Sequence, residues 1–312
     1  MQERKLRLLR SFFTLIVTIA IFFALFSKID AKGTISAIKG VNLKLFLLAT
    51  IIALMSNLFL MTDRWRQTLR MLGSSVPYRE LLFVRVGSYS LRGILPLKSG
   101  EILRVAYLKK YNKVSLPIGT ASVGLGLLLN LLALFAFVLG GSLFLGTIEI
   151  VKKCGYVLVL LLLAFILFRS ALSLLKKISR KVYKAIEEYL RAWKRVSFLG
   201  KTNLFFYSLG LKFLELLNYY IILRAFNIIV PFKAILVFVP LAILVSELPI
   251  TIAGLGIRES AVVLFFSQYG LAEELLGAGL LISFVEYILP NLICLSFTKP
   301  FLDKMATMPQ KA

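Results

Sequence analysis

Two groups of arginines, glycines and acids are the residues of this sequence best suited to bind an anion. One follows Leu95-Pro96 and the other follows Leu248-Pro249. A guanidinium donates two parallel hydrogen bonds to a phosphate, and glycine lets the backbone approach a ligand closely. A helix that starts after such a break also presents unpaired N–H groups to an anion. The sequence therefore predicts a phosphate-binding site formed by Arg92, Pro96, Gly100, Glu101, Arg104, Pro249, Gly254, Gly256, Arg258 and Glu259.

A structural role for the same charges is the alternative. Glu101 lies three residues before Arg104, and Glu259 directly follows Arg258, so the acids and arginines can form ion pairs. Pairing and binding are compatible, because an acid that holds an arginine also orients its remaining donors. We therefore expect Glu101 and Glu259 to orient Arg104 and Arg258, and these two arginines to contact the phosphate.

Acidic and amide side chains inside apolar runs form a second set. Glu215, Glu247 and Glu286 lie in or at the end of such runs. Charges in hydrocarbon are costly and usually face the interior of a helix bundle. These three acids predict either proton coupling or hydrogen bonds between helices. Asn57 and Asn130 are predicted to join helices by hydrogen bonds.

The absence of histidine excludes several kinds of chemistry. Without histidine the chain lacks the commonest general base and the commonest metal ligand. Cys154 and Cys294 are too far apart in sequence for a metal or redox motif, and each is expected to be a small buried residue. We therefore expect no metal, no cofactor and no enzyme activity.

The apolar runs that position these residues are typical of a polytopic membrane protein. Of the 312 residues 59% are hydrophobic, whereas soluble domains contain about 45–50% apolar residues. A spanning helix needs about 20 residues. The sequence therefore predicts an all-α fold with about six spanning helices, over residues 11–26, 45–61, 116–145, 154–168, 203–223 and 275–297.

Lysine and arginine are distributed unevenly between the loops. Segments 1–10, 63–113, 169–201 and 299–312 together contain 28 of them, and the loops on the opposite side contain 8. By the positive-inside rule, both termini and a basic amphipathic segment at 176–200 are predicted to be cytoplasmic, with Trp65 at the inner interface. The net charge of +23 is then explained by basic loops that orient the protein in the membrane and contact anionic lipid. No nucleic-acid partner is expected.

Two pairs of shorter segments are interrupted by Leu-Pro and glycine. Segments 232–248 and 257–268 are too short to span, which predicts a helical hairpin over 232–268 that re-enters from outside. A short polar turn between two spanning helices is the alternative. Residues 78–111 predict a second hairpin on the cytoplasmic side, or else a helix pair that lies on the membrane surface.

Each half of the chain has the order span, span, hairpin, span. The halves, residues 1–150 and 151–312, contain three spans each, so they would cross the membrane in opposite orientations. This order predicts an inverted repeat whose broken elements meet near the middle of the membrane, an arrangement typical of transporters.

These motifs resemble those of a known family, the membrane domain of lysylphosphatidylglycerol synthase/flippases and its stand-alone relatives. The resemblance covers about residues 10–298 and rests on Arg64-Trp65-Arg66, Leu95-Pro96 with Gly100-Glu101 and Arg104, and Leu248-Pro249 followed by Gly254 to Glu259. It implies movement of a phospholipid or polyprenyl-phosphate-linked lipid between leaflets. Val123 to Gly126 replace an acid–arginine pair that relatives often carry early in the third span. No aminoacyl-transfer domain follows residue 312, so lysyl-lipid synthesis is not expected.

We therefore expect a multi-pass flippase of the cytoplasmic (inner) membrane, whose ligand is a lipid with an anionic phosphate head group. One alternative is a non-transporting scaffold, whose partner would be an enzyme of cell-envelope lipid or glycan synthesis. The other is an integral-membrane enzyme that modifies lipid, which the absence of histidine disfavours.

Overall fold

The computed structural model describes residues 2–94, 100–146, 187, 191, 193–194, 196–247 and 250–307, with side chains from residue 14 onward except at 92–94. The regular structure in these ranges is helical and contains no strand, which confirms the predicted all-α fold. The predicted span 154–168 and most of the segment 176–200 lie outside the described residues.

The first three helices are α1 (Gln2–Phe26), α2 (Ala31–Lys39) and α3 (Leu43–Met71). Asp30 starts α2 by accepting hydrogen bonds from the backbone N–H groups of the next turn at 3.1 and 2.8 Å, and Asn42 does the same for α3. The chain bends by 87° between α1 and α2. A π-helical turn, Met55–Leu60, interrupts α3.

The next three helices are α4 (Tyr78–Ile94), α5 (Gly100–Asn112) and α6 (Leu116–Leu145). Helices α4 and α5 pack against each other, so the predicted hairpin at 78–111 consists of two packed helices. Helix α6 has the bounds predicted for the third span. It ends at Gly146, whose φ of 69° lies in the left-handed region that favours glycine.

The last four helices are α7 (Phe198–Ala225), α8 (Phe232–Ser246), α9 (Ile257–Phe266) and α10 (Ala272–Ala306). Helices α8 and α9 are the two short helices predicted on either side of the Pro/Gly break, which contains a 3₁₀ turn at Ile252–Gly254. With 15 and 10 residues they rise about 22 and 15 Å. Neither length crosses a ~30 Å hydrocarbon core, which agrees with a hairpin that re-enters the membrane. Re-entry itself stays a prediction.

Three of the described helices, α3, α6 and α10, are long and apolar enough to cross a membrane, and α1 with α2 could form a fourth, bent span. This finding agrees with a multi-pass membrane protein, although the predicted number of about six spans is not tested by it. Helix α7 has 28 residues but is not in this set, since it carries Lys212 and Glu215 at its middle.

The two hairpins pack in a reciprocal way. The first helix of one hairpin, α4, packs against the end of α10, while the first helix of the other, α8, packs against α6. Each contact includes a glycine that allows close approach. A Cβ on Gly87 would lie 2.4 Å from the Cβ of Phe301, and one on Gly141 would lie 2.8 Å from the Cβ of Leu236. Each hairpin therefore packs on the long helix that follows the other hairpin.

Polar residues separate two buried apolar clusters. The larger cluster joins the first part of α3 to α7, α8, α9 and α10, and a second joins the last part of α3 to α4, α5 and the end of α10. Along α3, Ala53 belongs to the first cluster and Leu69 to the second. Between these two, Asn57, Met61 and Arg64 line a cavity.

Candidate functional site: a charged cavity between the two halves

A cavity of about 90 Å³ lies where α3, α4, α5, α6, α7 and α10 meet. Its lining contains residues from both halves of the chain. Eight of the lining residues are charged, four cations and four acids: Arg64, Arg85, Arg104, Lys212, Glu101, Glu215, Glu247 and Glu286. Charges of this density are stable inside a membrane protein only when they are paired, hydrogen-bonded or in contact with water or a ligand.

Helix α5 brings the first predicted arginine into the cavity. Arg104 forms an ion pair of 2.7 Å with Glu101, one turn earlier on the same helix, so the predicted pair is present. Its Nε donates to Ser88 Oγ on α4 at 2.8 Å, and its guanidinium lies 5.9 Å from the ring centroid of Trp65. These contacts hold Arg104 in one orientation at the cavity wall.

The π-helical turn of α3 and a second one in α10, Phe284–Ile288, meet beside the cavity. Asn57 Nδ2 donates to Glu286 Oε2 at 2.7 Å, and Asn218 Nδ2 on α7 donates to Glu286 Oε1. Because a π turn leaves backbone carbonyls available, Arg85 Nε donates to the carbonyl of Asn57 at 2.8 Å. Glu286 therefore joins three helices, and Asn57 makes the interhelical hydrogen bond predicted for it.

The remaining cations differ in their partners. Lys212 forms an ion pair of 2.6 Å with Glu215 on α7. Arg64 Nη1 donates to Asn130 Oδ1 on α6 at 2.5 Å and to Ser208 Oγ on α7 at 2.9 Å. Asn130 therefore also joins helices as predicted, and Arg64 is held by neutral groups.

The second predicted arginine lies behind the cavity wall. Arg258 is 1% exposed, and its guanidinium lies 3.7 Å from the ring centroid of Tyr287, which lines the cavity. It donates to Ser283 Oγ at 2.9 Å and to the carbonyl of Ala253 at 3.3 Å. Ser283 in turn donates to Glu259, so the acid predicted to orient Arg258 does so through a hydroxyl group.

The predicted site residues fall into three groups. Glu101, Arg104 and the three predicted proton-coupling acids, Glu215, Glu247 and Glu286, line the cavity. A second group is buried but does not line the cavity. These residues lie at the start of α5 or beside the second break: Gly100, Gly254, Gly256, Arg258 and Glu259. Pro96, Pro249 and the side chain of Arg92 lie outside the described residues. Of the two arginines predicted to contact the phosphate, Arg104 therefore lines the cavity and Arg258 does not.

Comparison with known proteins assigns the chain to a family. The family model described as "Lysylphosphatidylglycerol synthase TM region" matches residues 11–294. The chain belongs to this family. A protein of Methanothermobacter thermautotrophicus described as "UPF0104 membrane protein" is 24% identical over 332 aligned positions, which cover 94% of this chain and 92% of that protein. The resemblance read from the sequence motifs is thus confirmed for nearly the whole chain.

In this member of the lysylphosphatidylglycerol synthase TM family, three cations line the cavity that the sequence did not assign to the site: Arg64, Arg85 and Lys212. For Arg64 the helical spacing was an available signal, since Asn57, Met61, Arg64 and Thr68 lie on one face of α3 and all line the cavity. Trp65 corrects an expectation. It is 7% exposed and donates to Ser122 Oγ at 3.0 Å, so it is packed inside the protein and does not face lipid as an interfacial tryptophan would.

Proposed function

We propose that this member of the lysylphosphatidylglycerol synthase TM family moves a lipid with an anionic phosphate head group between the leaflets of a membrane. The observation that carries the proposal is the charged cavity between the two halves of the chain. The head group would occupy this cavity while the apolar tails remain in the surrounding lipid. The charged cavity and the family match together support this role.

Electrostatics favours a head group as the occupant. A phosphate that leaves water for the bilayer loses its hydration, and the fixed donors of a polar cavity replace that hydration. Arg104 presents its guanidinium at the wall, already oriented by Glu101 and Ser88. Because its position is set before binding, little side-chain entropy is lost when a phosphate is bound.

The reciprocal packing of the hairpins supports an alternating-access cycle. In the proposed inverted repeat, α3 to α6 correspond to α7 to α10, and each half contributes a broken element. Glu101 and Arg104 follow the first break and Glu247 precedes the second, and all three line the same cavity. Movement of one half against the other would expose this cavity to one leaflet at a time.

Reconstitution in vesicles tests the proposal. Purified protein in vesicles of phosphatidylcholine is expected to accelerate the transbilayer movement of a fluorescent phosphatidylglycerol, measured by the fraction quenched by external dithionite. Arg104→Gln is expected to reduce the rate about tenfold or more, because a charge-assisted hydrogen bond is lost. Lys109→Gln is the matched control, since it removes an exposed cation from the same helix.

Two results would overturn the proposal. Wild-type protein that leaves the rate at the level of empty vesicles excludes lipid movement under these conditions. If such protein still binds phosphatidylglycerol and co-purifies with an envelope-synthesis enzyme, the scaffold alternative is supported. Equal rates for folded Arg104→Gln and Lys109→Gln would show that the cavity is not the path of the head group.

A further inference from the structure

Arg64 differs in its partners from Arg104 and Lys212, two other cations of the cavity. Arg104 and Lys212 are each in an ion pair with an acid, at 2.7 and 2.6 Å. Arg64 is not part of any ion pair among the described residues, and both of its hydrogen bonds go to neutral oxygens. Glu101 is close enough to interact with it electrostatically, but the carboxylate of Glu101 is bonded to Arg104.

The burial of Arg64 makes this arrangement costly without an anion. Only 7% of the residue is exposed. A buried charge with only neutral partners keeps much of its desolvation penalty, and an anion that binds to it recovers that free energy. No carboxylate among the described residues is hydrogen-bonded to Arg64, so an anion that binds there would be its first directly bonded negative partner.

The geometry leaves one edge of the guanidinium available for that group. Nη1 makes both hydrogen bonds, to Asn130 and Ser208. Nη2 lies against Gly126 of α6, where an added Cβ would be 3.3 Å from it, and Arg64 and Gly126 both line the cavity. The absence of a side chain at Gly126 thus keeps space beside Nη2 that a phosphate oxygen can fill.

We propose that Arg64 Nη2, in the space beside Gly126, is the principal contact for a phosphate oxygen in this cavity. This assignment rests on the proposed function, and it names the residue that contacts the head group. Lys212 and Arg104 are then secondary contacts. Each would exchange its carboxylate partner, Glu215 or Glu101, for the phosphate. The shared ligand chemistry is a phosphoryl group, which a phospholipid head group or a free phosphate ester can provide.

Binding measurements on the detergent-purified protein test the assignment. The probe is fluorescent phosphatidylglycerol, and fluorescent dioleoylglycerol, which has no phosphate, reports binding through the tails alone. Arg64→Lys keeps the charge but loses the planar fork, so phosphatidylglycerol is expected to bind about tenfold more weakly. Binding of dioleoylglycerol should not change.

A second variant keeps the arginine and removes the space. Gly126→Ala brings a methyl group within 3.3 Å of Nη2, so the guanidinium must shift by a few tenths of an ångström. Phosphatidylglycerol is expected to bind about threefold to tenfold more weakly. The helix itself should not be destabilised, because alanine has a higher helix propensity than glycine. Gly140→Ala on the same helix is the matched control, because an added Cβ there meets no atom within 4 Å. Arg70→Gln is the control for charge, since Arg70 is an exposed cation of α3.

Competition distinguishes the two sources of phosphate. Displacement of the fluorescent lipid by glycerol 3-phosphate at millimolar concentration shows that the phosphoryl group alone is recognised. Failure of that compound together with displacement by unlabelled phosphatidylglycerol shows that the lipid form is required. Phosphatidylglycerol binding at wild-type strength in folded Arg64→Lys and Gly126→Ala overturns the assignment of Arg64. If these variants move lipid normally while Arg104→Gln does not, the cavity function stands and the assignment alone fails.

Discussion

The buried arginines of this protein have different tasks, which their partners reveal. Arg258 donates to Ser283 and to the carbonyl of Ala253, and it stacks on Tyr287, so its contacts join α9 to the 3₁₀ turn and to α10. Arg64 and Arg104 present their guanidinium groups to the cavity. The contacts of Arg258 support a structural role in the second hairpin, whereas Arg64 and Arg104 are placed where a ligand can reach them.

The structural role of Arg258 leads to a prediction about stability. Arg258→Gln removes a buried cation–π contact and a hydrogen bond to Ser283, so the free energy of unfolding should fall by about 3 kcal/mol. Denaturant titration in mixed micelles, followed by tryptophan fluorescence, measures the change. Lys233→Gln, an exposed cation at the start of α8, should have no effect. A folded Arg258→Gln protein with wild-type stability and weakened lipid binding would instead favour Arg258 as a phosphate ligand.

A carboxylate can accept hydrogen bonds at both of its oxygens, whereas a side-chain amide accepts at only one. Glu286 accepts from Asn57 and Asn218, so Glu286→Gln, which has one acceptor oxygen, is expected to lower the free energy of unfolding by about 1–3 kcal/mol. If Glu286 carries the coupled proton, lipid movement in this variant should no longer respond to a pH gradient across the vesicle. Asp303→Asn, an exposed acid on the same helix, is the control. A gradient response equal to wild type would remove Glu286 from the coupling mechanism.

Sequence reasoning succeeded where residue type and local spacing were enough to predict a contact. The pair Glu101–Arg104 has helical spacing and forms, and the amides of Asn57 and Asn130 are polar groups in apolar runs that need partners. Arg64 was missed as a site residue because it stands where the apolar run of α3 ends. Its role depends on Asn130 and Ser208, which are distant in sequence.

At the scale of helices, apolar runs located the elements but not their ends. The second and sixth spans were predicted to end at residues 61 and 297, yet α3 continues to Met71 and α10 to Ala306. Both extensions pack into the second apolar cluster, through Leu69 and Phe301, so tertiary packing extends the helices beyond the hydropathy signal. Helix α2 was not predicted, although Asp30 is a typical N-cap residue.

The second hairpin depends on a glycine that no other residue can replace without strain. Gly254 has a φ of 77°, and an added Cβ would lie 2.5 Å from the carbonyl oxygen of Ser246. Gly254→Ala is therefore expected to lower the free energy of unfolding by about 3 kcal/mol or more. Gly73→Ala isolates the cost of positive φ, since Gly73 has a φ of 84° and open space around it, and should cost about 1 kcal/mol. Equal losses in the two variants would show that the close approach to Ser246 is unimportant.

On the scale of the whole molecule, the sequence predicted the order of the long helices and the short helix pairs. It did not predict which side chains line the cavity. Hydropathy and the Pro/Gly breaks mark where the chain turns, because lipid tolerates irregular backbone only where protein or water surrounds it. Which side chains then meet is determined by packing between the halves. The reciprocal contacts of α4 with α10 and of α8 with α6 bring Arg104 from one half near Glu286 from the other at the same cavity.

The orientation of α7 is the part of this architecture that a labelling experiment can decide. Its 28 residues rise about 42 Å, enough to cross a ~30 Å core. Lys212 and Glu215, which lower its hydropathy, are paired at 2.6 Å and line the cavity, so they need not face lipid. We therefore expect Phe198→Cys to be labelled by an impermeant maleimide only in broken cells, and Arg224→Cys in intact cells, in a background without Cys154 and Cys294. Lys109→Cys, on the predicted cytoplasmic side, should behave as Phe198→Cys does. Labelling of both ends of α7 from one face would show that α7 does not span, and the two halves would then lack the matching set of spans that an inverted repeat requires.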